Sequence, residues 1–297
     1  MTESLPVSVV TVNFNAGEAL CACVRSVLAS TVAVEVVVVD NGSRDGSLER
    51  LRRDLGGDPR ALLLEMHANL GFAAANNRGL LETRGEFVLF LNPDCVVEPA
   101  TIERMRAVLE LHPEAGMAGC LVQNPDGSEQ PGGRRRIPTP GLALGRAFGL
   151  ARLLGRGRDF VLAGTPLPAE PAEVEAISGA FMFVRRRAIE AVGPLDEGYF
   201  LHCEDLDWCL RFRQAGQRVL FVPGVKVRHH KGRSSRERPV RVLWHKHRGM
   251  VRFYRKFFRD AYPAPLMWAV FAGIGVRFVA LAALALVRRG LARDGER

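Results

Sequence analysis

The sequence predicts an α/β protein built on a doubly wound, mostly parallel sheet. Short apolar runs rich in strand formers recur at 7–12, 35–39, 61–65 and 87–91. They are too short for helices and lack polar alternation, the pattern of strands buried on both faces. Stretches of helical length separate them, and strands alternating with helices at short spacing favour a parallel sheet. The runs also end in polar turns, and the carboxyl ends of strands are where open sheets of this kind bind ligands.

In chain order, strand 7–12 runs into Asn13-Phe14-Asn15-Ala16-Gly17, and a helix follows to about Ala29. Strand 35–39 ends at Asp40, and the polar turn to Ser47 offers N-cap residues for the next helix. Strand 61–65 precedes Asn69-Leu70-Gly71-Phe72, which opens a helix over 73–81. Strand 87–91 is the organising element. Pro93 has no N–H for a ladder, so the strand stops and leaves Asp94 on the rim. A carboxylate there can hold a divalent metal against a diphosphate, although Asn92-Pro93-Asp94 is also a favourable turn. A helix over 99–111 completes this half.

From 124 to 173 the pattern dissolves into Gly, Pro and Arg, which predicts a long mobile loop, either an acceptor-binding lid or a solvated insertion. Order returns at 175–184. His202-Cys203-Glu204-Asp205-Leu206-Asp207 then opens a helix. Acids in a first turn offset the helix dipole, but three within four residues exceed what capping requires. Asp205 and Asp207, two residues apart, point to different sides of the helix and should differ in role. A strand at 219–222 leads to His229-His230, a pair suited to metal or phosphate contact.

At 297 residues the chain can bury one large core or two modest ones. Six cysteines without a Cys-x-x-Cys pair suit reduced thiols in a cytosolic compartment, and no secretion signal precedes the first strand. The first strand–helix turn lacks Gly-x-Gly-x-x-Gly, which disfavours hydride transfer, and no Gly-x-x-x-x-Gly-Lys-Ser/Thr phosphate loop occurs. The net charge of +9 is concentrated: residues 225–259 hold thirteen Lys/Arg against the single acid Glu237. Nucleic acid or an anionic membrane surface would each suit that segment.

Taken together, the stretches at 7–15, 36–45, 69–79, 90–94, 178–181, 196–211 and 229–235 resemble family 2 glycosyltransferases of the GT-A fold, especially rhamnosyltransferase-like members. The resemblance covers roughly residues 5–255. It implies transfer of a sugar from a nucleoside diphosphate to a saccharide or lipid-linked acceptor, in synthesis of cell-envelope polysaccharide. A divalent metal, Mg or Mn, would offset charge on the leaving diphosphate. By the same resemblance Asp94 fills the last place of an Asp-x-Asp motif whose first place here is Asn92. His229 would complete the metal site, with His230 a neighbouring alternative. Asp205, from the Glu204-Asp205 pair, would be the base, with Asp207 as second choice. Val12 and Asn13 backbone, Asp40, Asn77 and Arg78 would hold the nucleotide.

The division expected is a catalytic domain over 1–239, with a nucleotide-binding half at about 1–122 and an acceptor half at about 174–239, followed by membrane-associating helices over 240–297. Residues 244–258 interleave aromatics with Lys and Arg, the composition of an interfacial helix on anionic lipid. Residues 266–287 are long enough to span a bilayer, but Arg277 interrupts them and favours an in-plane or re-entrant helix over a span; a packed C-terminal helix hairpin in a soluble protein is the other reading. The expected place is the cytoplasmic face of the cell membrane, with no nucleic-acid partner. Two other readings stay open on sequence alone: a nucleotidyltransferase on a similar sheet, and a nucleotide-binding module with a basic nucleic-acid-binding tail.

Overall fold

The computed structural model describes residues 6–147, 160–230 and 239–294. β1 (Val7–Asn13) pairs in parallel with β2 (Val34–Asp40) and with β4 (Phe87–Leu91), and β2 pairs in parallel with β3 (Ala61–Glu65). Helices α1 (Ala19–Leu28), α2 (Ser47–Leu55) and α3 (Phe72–Leu81) connect these strands, and α4 (Thr101–Leu111) follows. Beyond β4 the sheet continues through β10 (Phe181–Arg185), antiparallel to both β4 and β6 (Ala115–Gln123). β11 (Arg218–His229) lies parallel to β6, with β5 (Cys95–Val96) antiparallel on its outer edge and β8 (Ala172–Glu173) also beside it. The strand order is β3-β2-β1-β4-β10-β6-β11-β5. Strands β1 to β4, β6 and β11 thus run one way and β10 against them, so the sheet is mostly parallel as the sequence predicts.

Burial on both faces is visible residue by residue. Phe87, Leu89 and Leu91 of β4 enter a core with Val9, Leu20 and Met105, while Val88 and Phe90 enter the opposite core with Val10, Trp208 and Phe212. All five β4 side chains are at most 2% exposed, and Phe90 meets Trp208 edge-on at 5.2 Å. Each such burial stabilises the fold by about 1.5–3 kcal/mol. The first core lies under α1, α2 and α4. The second lies under α3, α6 (Arg186–Val192) and α7 (Glu204–Gln214).

The stretch read as one long loop is partly built structure. Arg134–Arg135 form β7, antiparallel to β9 (Ala176–Ile177), and α5 (Pro140–Ala147) follows; residues 148–159 lie outside the described residues. The arginines fold inward because carboxylates receive them, one five residues away and one 70 residues away. Arg134 pairs with Glu129 at 2.7 Å and Arg135 with Asp205.

The division at 239/240 falls inside a continuous packed unit. α8 (Pro239–Phe257) buries Phe253 and Tyr254 to 1% exposure. Its Arg252 and Lys256 pair with Asp196 at 2.8 and 2.7 Å. Close approach is possible because position 249 is glycine: a Cβ there would sit 2.8 Å from the His202 carbonyl oxygen. The basic-aromatic stretch is therefore only partly free for lipid. α9 (Ala264–Asp294) folds back along α8, with Met267, Val270 and Ile274 packed on Tyr254. It is one unbroken helix.

Candidate active site

Because β1, β2, β4 and β11 run in the same direction, their carboxyl ends meet on one rim. A cleft of about 560 Å³ opens there, lined by Val12, Phe14 and Asn15 after β1, Asn41 to Arg44 after β2, His67 to Phe72 before α3, and Asn92 to Asp94 after β4. Arg241, Val242 and His245 of α8 close its far side. The 200–202 loop completes the wall, anchored where the Phe72 amide donates to the Phe200 carbonyl at 2.7 Å. Gly71, at φ 90°, allows that contact; a Cβ would lie 2.6 Å from the same oxygen.

Asp94 and His229, remote in sequence, converge on this cleft. β5 pairs Cys95 with His229, and the His230 amide donates to the Asp94 carbonyl, so the two side chains face each other with Asp94 Oδ1 3.0 Å from His229 Nε2. Gln130 orients the imidazole. Its Nε2 donates to Asn124 Oδ1 at 3.0 Å, which turns Oε1 toward His229 Nδ1 at 2.7 Å. In the neutral ring Nδ1 then carries the hydrogen and Nε2 keeps a lone pair, with the Asn92 amide nitrogen 3.2 Å away. A carboxylate oxygen and an imidazole lone pair at 3.0 Å fit one coordination sphere: cis ligands on an octahedron with bonds of about 2.1 Å lie about 3.0 Å apart. Cys95 lies within the same cluster, but burial pushes its thiol well above the ordinary range and it donates to the Ala180 carbonyl. It is a poor ligand for a hard cation.

Asp205 sits one peptide away from that pair. The Asn92 amide donates to the Ala180 carbonyl at 3.0 Å, and the Gly179 amide donates to Asp205 Oδ2 at 3.1 Å. One short segment therefore bridges the metal-suited pair and the acid. Burial alone would raise the Asp205 carboxyl, but Arg135 and these amide donors hold it below the usual carboxylate range. Glu204 is the opposite case. Burial first and the adjacent Asp205 charge second push it well above the usual carboxylate range, and its Oε2 has no hydrogen-bond partner among the described residues. Two consecutive non-glycine residues with positive φ, His202 at 68° and Cys203 at 74°, set the entry to α7. Such strain recurs at functional sites.

The family described as Glycosyl transferase family 2 matches residues 8–193, a span that takes in the β1, β2 and β4 side of the cleft, Asp94 and the Gly179–Ala180 bridge. The chain belongs to glycosyltransferase family 2. Among relatives of this glycosyltransferase, an N-acetylglucosaminyl-diphospho-decaprenol L-rhamnosyltransferase of Mycobacterium tuberculosis is 31% identical over 93% of this chain and 92% of its own. Rhamnosyltransferase WbbL of Escherichia coli is 29% identical over 54% of this chain and 58% of its own. In fold, it is similar to the mannosyltransferase PcManGT of Pyrobaculum calidifontis, solved with GDP-Man and Mn2+, at a TM-score of 0.60 and 18% identity over 98% of this chain and 76% of that one.

Within this glycosyltransferase, the residues expected at the nucleotide are only partly brought together. Val12 lines the cleft. Asn13 and Asp40 lie buried beneath it, with Asn13 Nδ2 donating to Asp40 Oδ1 at 2.7 Å and to Ser47 Oγ at 2.8 Å. They shape the floor of the cleft. Asn77 and Arg78 do not line it. Asn77 exchanges hydrogen bonds with both backbone groups of Leu195, and Arg78 is exposed. Both stand more than a turn into α3, too far from the helix start to reach the rim. Of the 229–235 motif, residues 231–235 lie outside the described residues.

Asp207 also leaves the site. It is fully buried, and accepts from Arg211 Nε at 2.7 Å and Lys256 Nζ at 2.6 Å, tying α7 to α8. Asp207→Asn is therefore expected to lower the thermal midpoint by several degrees while leaving the residual folded enzyme active. Breaking one side of a buried pair costs about 3–5 kcal/mol at most, and the partly exposed Lys256 softens that. A variant with an unchanged midpoint and lost turnover would return Asp207 to the chemistry.

Sequence reasoning missed Asn15, Arg44, His67 and Asn69 on the cleft wall, the Gln130 contact, and Arg135 on Asp205. The first four follow strands β1, β2 and β3, so the rim rule could have found them. Nothing local marks Gln130 or Arg135.

Proposed function

We propose that this glycosyltransferase moves a sugar, L-rhamnose in our reading, from a nucleoside diphosphate donor to a saccharide carried on a lipid diphosphate, in cell-envelope polysaccharide synthesis. The observation that carries the reading is the Gly179–Ala180 bridge, which joins Asn92, beside the Asp94–His229 pair on the donor cleft, to the Asp205 carboxylate. The activity named for the Mycobacterium tuberculosis relative supports the sugar and the acceptor class.

Asp94 and His229 are the side chains that would hold a divalent metal, Mg or Mn, which when bound stabilises charge on the departing diphosphate. Asp205 accepts the proton of the attacking acceptor hydroxyl. Its Oδ2 is engaged by Arg135 and Gly179, whereas Oδ1 accepts only from the Leu206 amide among the described residues and keeps a lone pair for the hydroxyl. Burial and the adjacent Asp205 charge favour the neutral acid of Glu204, which makes it the weaker base of the two. Direct displacement by the acceptor inverts the anomeric carbon. Labelled nucleoside diphosphate L-rhamnose incubated with the enzyme and lipid-extracted acceptor should give lipid-extractable label and free nucleoside diphosphate. Release of rhamnose 1-phosphate, with the nucleoside monophosphate carried to an acceptor, would instead favour a nucleotidyltransferase.

Membrane association belongs to the same reading. Residues 264–288 of α9 are long and apolar enough to cross a membrane, yet their first half packs along α8. Trp268, Ala272, Val276, Val279, Ala283 and Leu286 are all exposed and share one face, while Arg277 points to the other side. This supports a helix lying in the plane of the cytoplasmic leaflet. Deleting residues 263–297 should leave binding to anionic liposomes that washes off in high salt, because Arg248, Arg255 and Arg259 remain exposed. The full chain should resist the wash, since apolar burial is not screened. Full-length protein left in the supernatant at both salt concentrations would remove the membrane from the account.

A further inference from the structure

The far wall of the cleft is built by the start of α8, beyond residue 193 where the family match ends. Arg241 and His245 lie four positions apart, so they share one face of the helix, and both line the cleft. Both also meet Phe200. The His245 ring stacks on it at 4.1 Å between centroids and 22° between planes, and the Arg241 guanidinium carbon lies 5.9 Å from the centroid of the same ring. Phe200 is itself held by the Phe72 amide, and Gly249 lets α8 close on the same loop at His202. Arg241 therefore reaches the cleft over a fixed aromatic ring.

The charge at its end has no acid to meet. Arg252 and Lys256, further along α8, pair with Asp196 and Asp207, whereas no ion pair engages Arg241 among the described residues. Arg241 also stands in the first turn of α8, which holds no acid and where the helix dipole disfavours a cation. The helix gains nothing from it there. Burial first and Arg241 second lower the His245 imidazole, so near neutral pH Arg241 is the cation of this wall. Among the described residues lining the cleft, Asp94 is the single acid and already faces His229, while Arg44 adds a second guanidinium after β2. Such a lining suits a ligand carrying more than one negative charge.

We propose that Arg241 is a donor-binding residue, which grips the diphosphate of the sugar nucleotide from the far wall of the cleft. This rests on the functional reading above and deepens it, by adding a side chain of α8 to donor binding. The planar guanidinium donates two parallel hydrogen bonds to phosphate oxygens while its flat face stays against Phe200. A lysine would keep the charge but neither the fork nor the stacked plane. Negative charge that builds on the diphosphate as the sugar leaves meets the same guanidinium, so Arg241 also stabilises the departing group.

Full-length wild type, Arg241→Gln and Arg241→Lys are titrated calorimetrically with the diphosphates of thymidine, uridine and guanosine and with the three parent nucleosides, each with and without manganese. The readout is the preference for the best-bound diphosphate over its own nucleoside. Arg241→Gln should lose about ten- to a hundredfold of that preference, as for one charged hydrogen-bonding partner removed, and Arg241→Lys should recover only part of it. Nucleoside affinity should not move. The factor that manganese adds should be the same in all three proteins, because Asp94 and His229 are untouched. An equal loss for nucleoside and diphosphate would make Arg241 a support of the Phe200 wall, and an unchanged preference would leave its guanidinium to solvent; either result overturns the proposal. Wild type that binds no diphosphate under either condition defeats the donor reading, and this proposal with it. Wild type that binds while Arg241→Gln matches it defeats this proposal alone.

Discussion

Asp205→Asn is expected to lower kcat by about 10²–10⁴-fold, the usual contribution of a positioned general base. The amide nearly matches the carboxylate in size but cannot accept the acceptor's proton. Donor binding should persist, because Asp205 makes no hydrogen bond to Asp94 or His229 among the described residues and meets their neighbour Asn92 through the Gly179–Ala180 backbone. Arg135 provides a second readout. Burial favours the neutral acid, and Arg135 is the charge that opposes it most, so Asp205 is ionised below the ordinary carboxylate range. Replacing Arg135 with Met leaves burial unopposed, and the Asp205 pKa rises. A base works only when ionised, so the acidic limb of the kcat/KM profile should move to higher pH. Near-wild-type turnover by Asp205→Asn would exclude it as the base, and an unmoved acidic limb in Arg135→Met would mean that the arginine serves packing alone.

How far the sequence could be read depended on the distance over which each interaction is specified. β3 and β4 match the runs at 61–65 and 87–91, because burial on both faces writes itself into consecutive apolar residues. The rim position of Asp94 followed from Pro93 alone. The opposed roles of Asp205 and Asp207 followed from their two-residue spacing, although which one faced the core did not. Lys256, 49 positions away, shows that by pairing with Asp207. β7 and α5 were hidden because Arg-rich, Gly-rich sequence resembles solvated loop until a distant carboxylate is placed beside it. α8 misled for a related reason: its Lys and Arg have the composition of a lipid-facing helix, but Asp196 and Asp207 claim two of them. Asn77 failed through helical phase, which a motif string does not convey.

The second large effect concerns Asp94 and His229. In titrations of the nucleoside diphosphate, Asp94→Ala should abolish whatever affinity manganese adds and leave the metal-free affinity unchanged, because no carboxylate then remains beside His229 Nε2. His229→Ala should do the same, while also opening a space next to Gln130. Gln130→Met is the more discriminating change. It leaves both ligands in place but removes the acceptor that holds the hydrogen on Nδ1, and such orienting partners typically contribute about 10–100-fold in metal affinity. Manganese binding followed directly by the loss of its free-ion paramagnetic resonance signal reads this without any turnover. If Asp94→Ala weakens the nucleotide equally with and without manganese, Asn92-Pro93-Asp94 is a turn that shapes the cleft. If Gln130→Met leaves manganese affinity intact while Asp94→Ala removes it, the carboxylate acts without an oriented imidazole, and the 3.0 Å approach of His229 to Asp94 serves packing of β11 against β5.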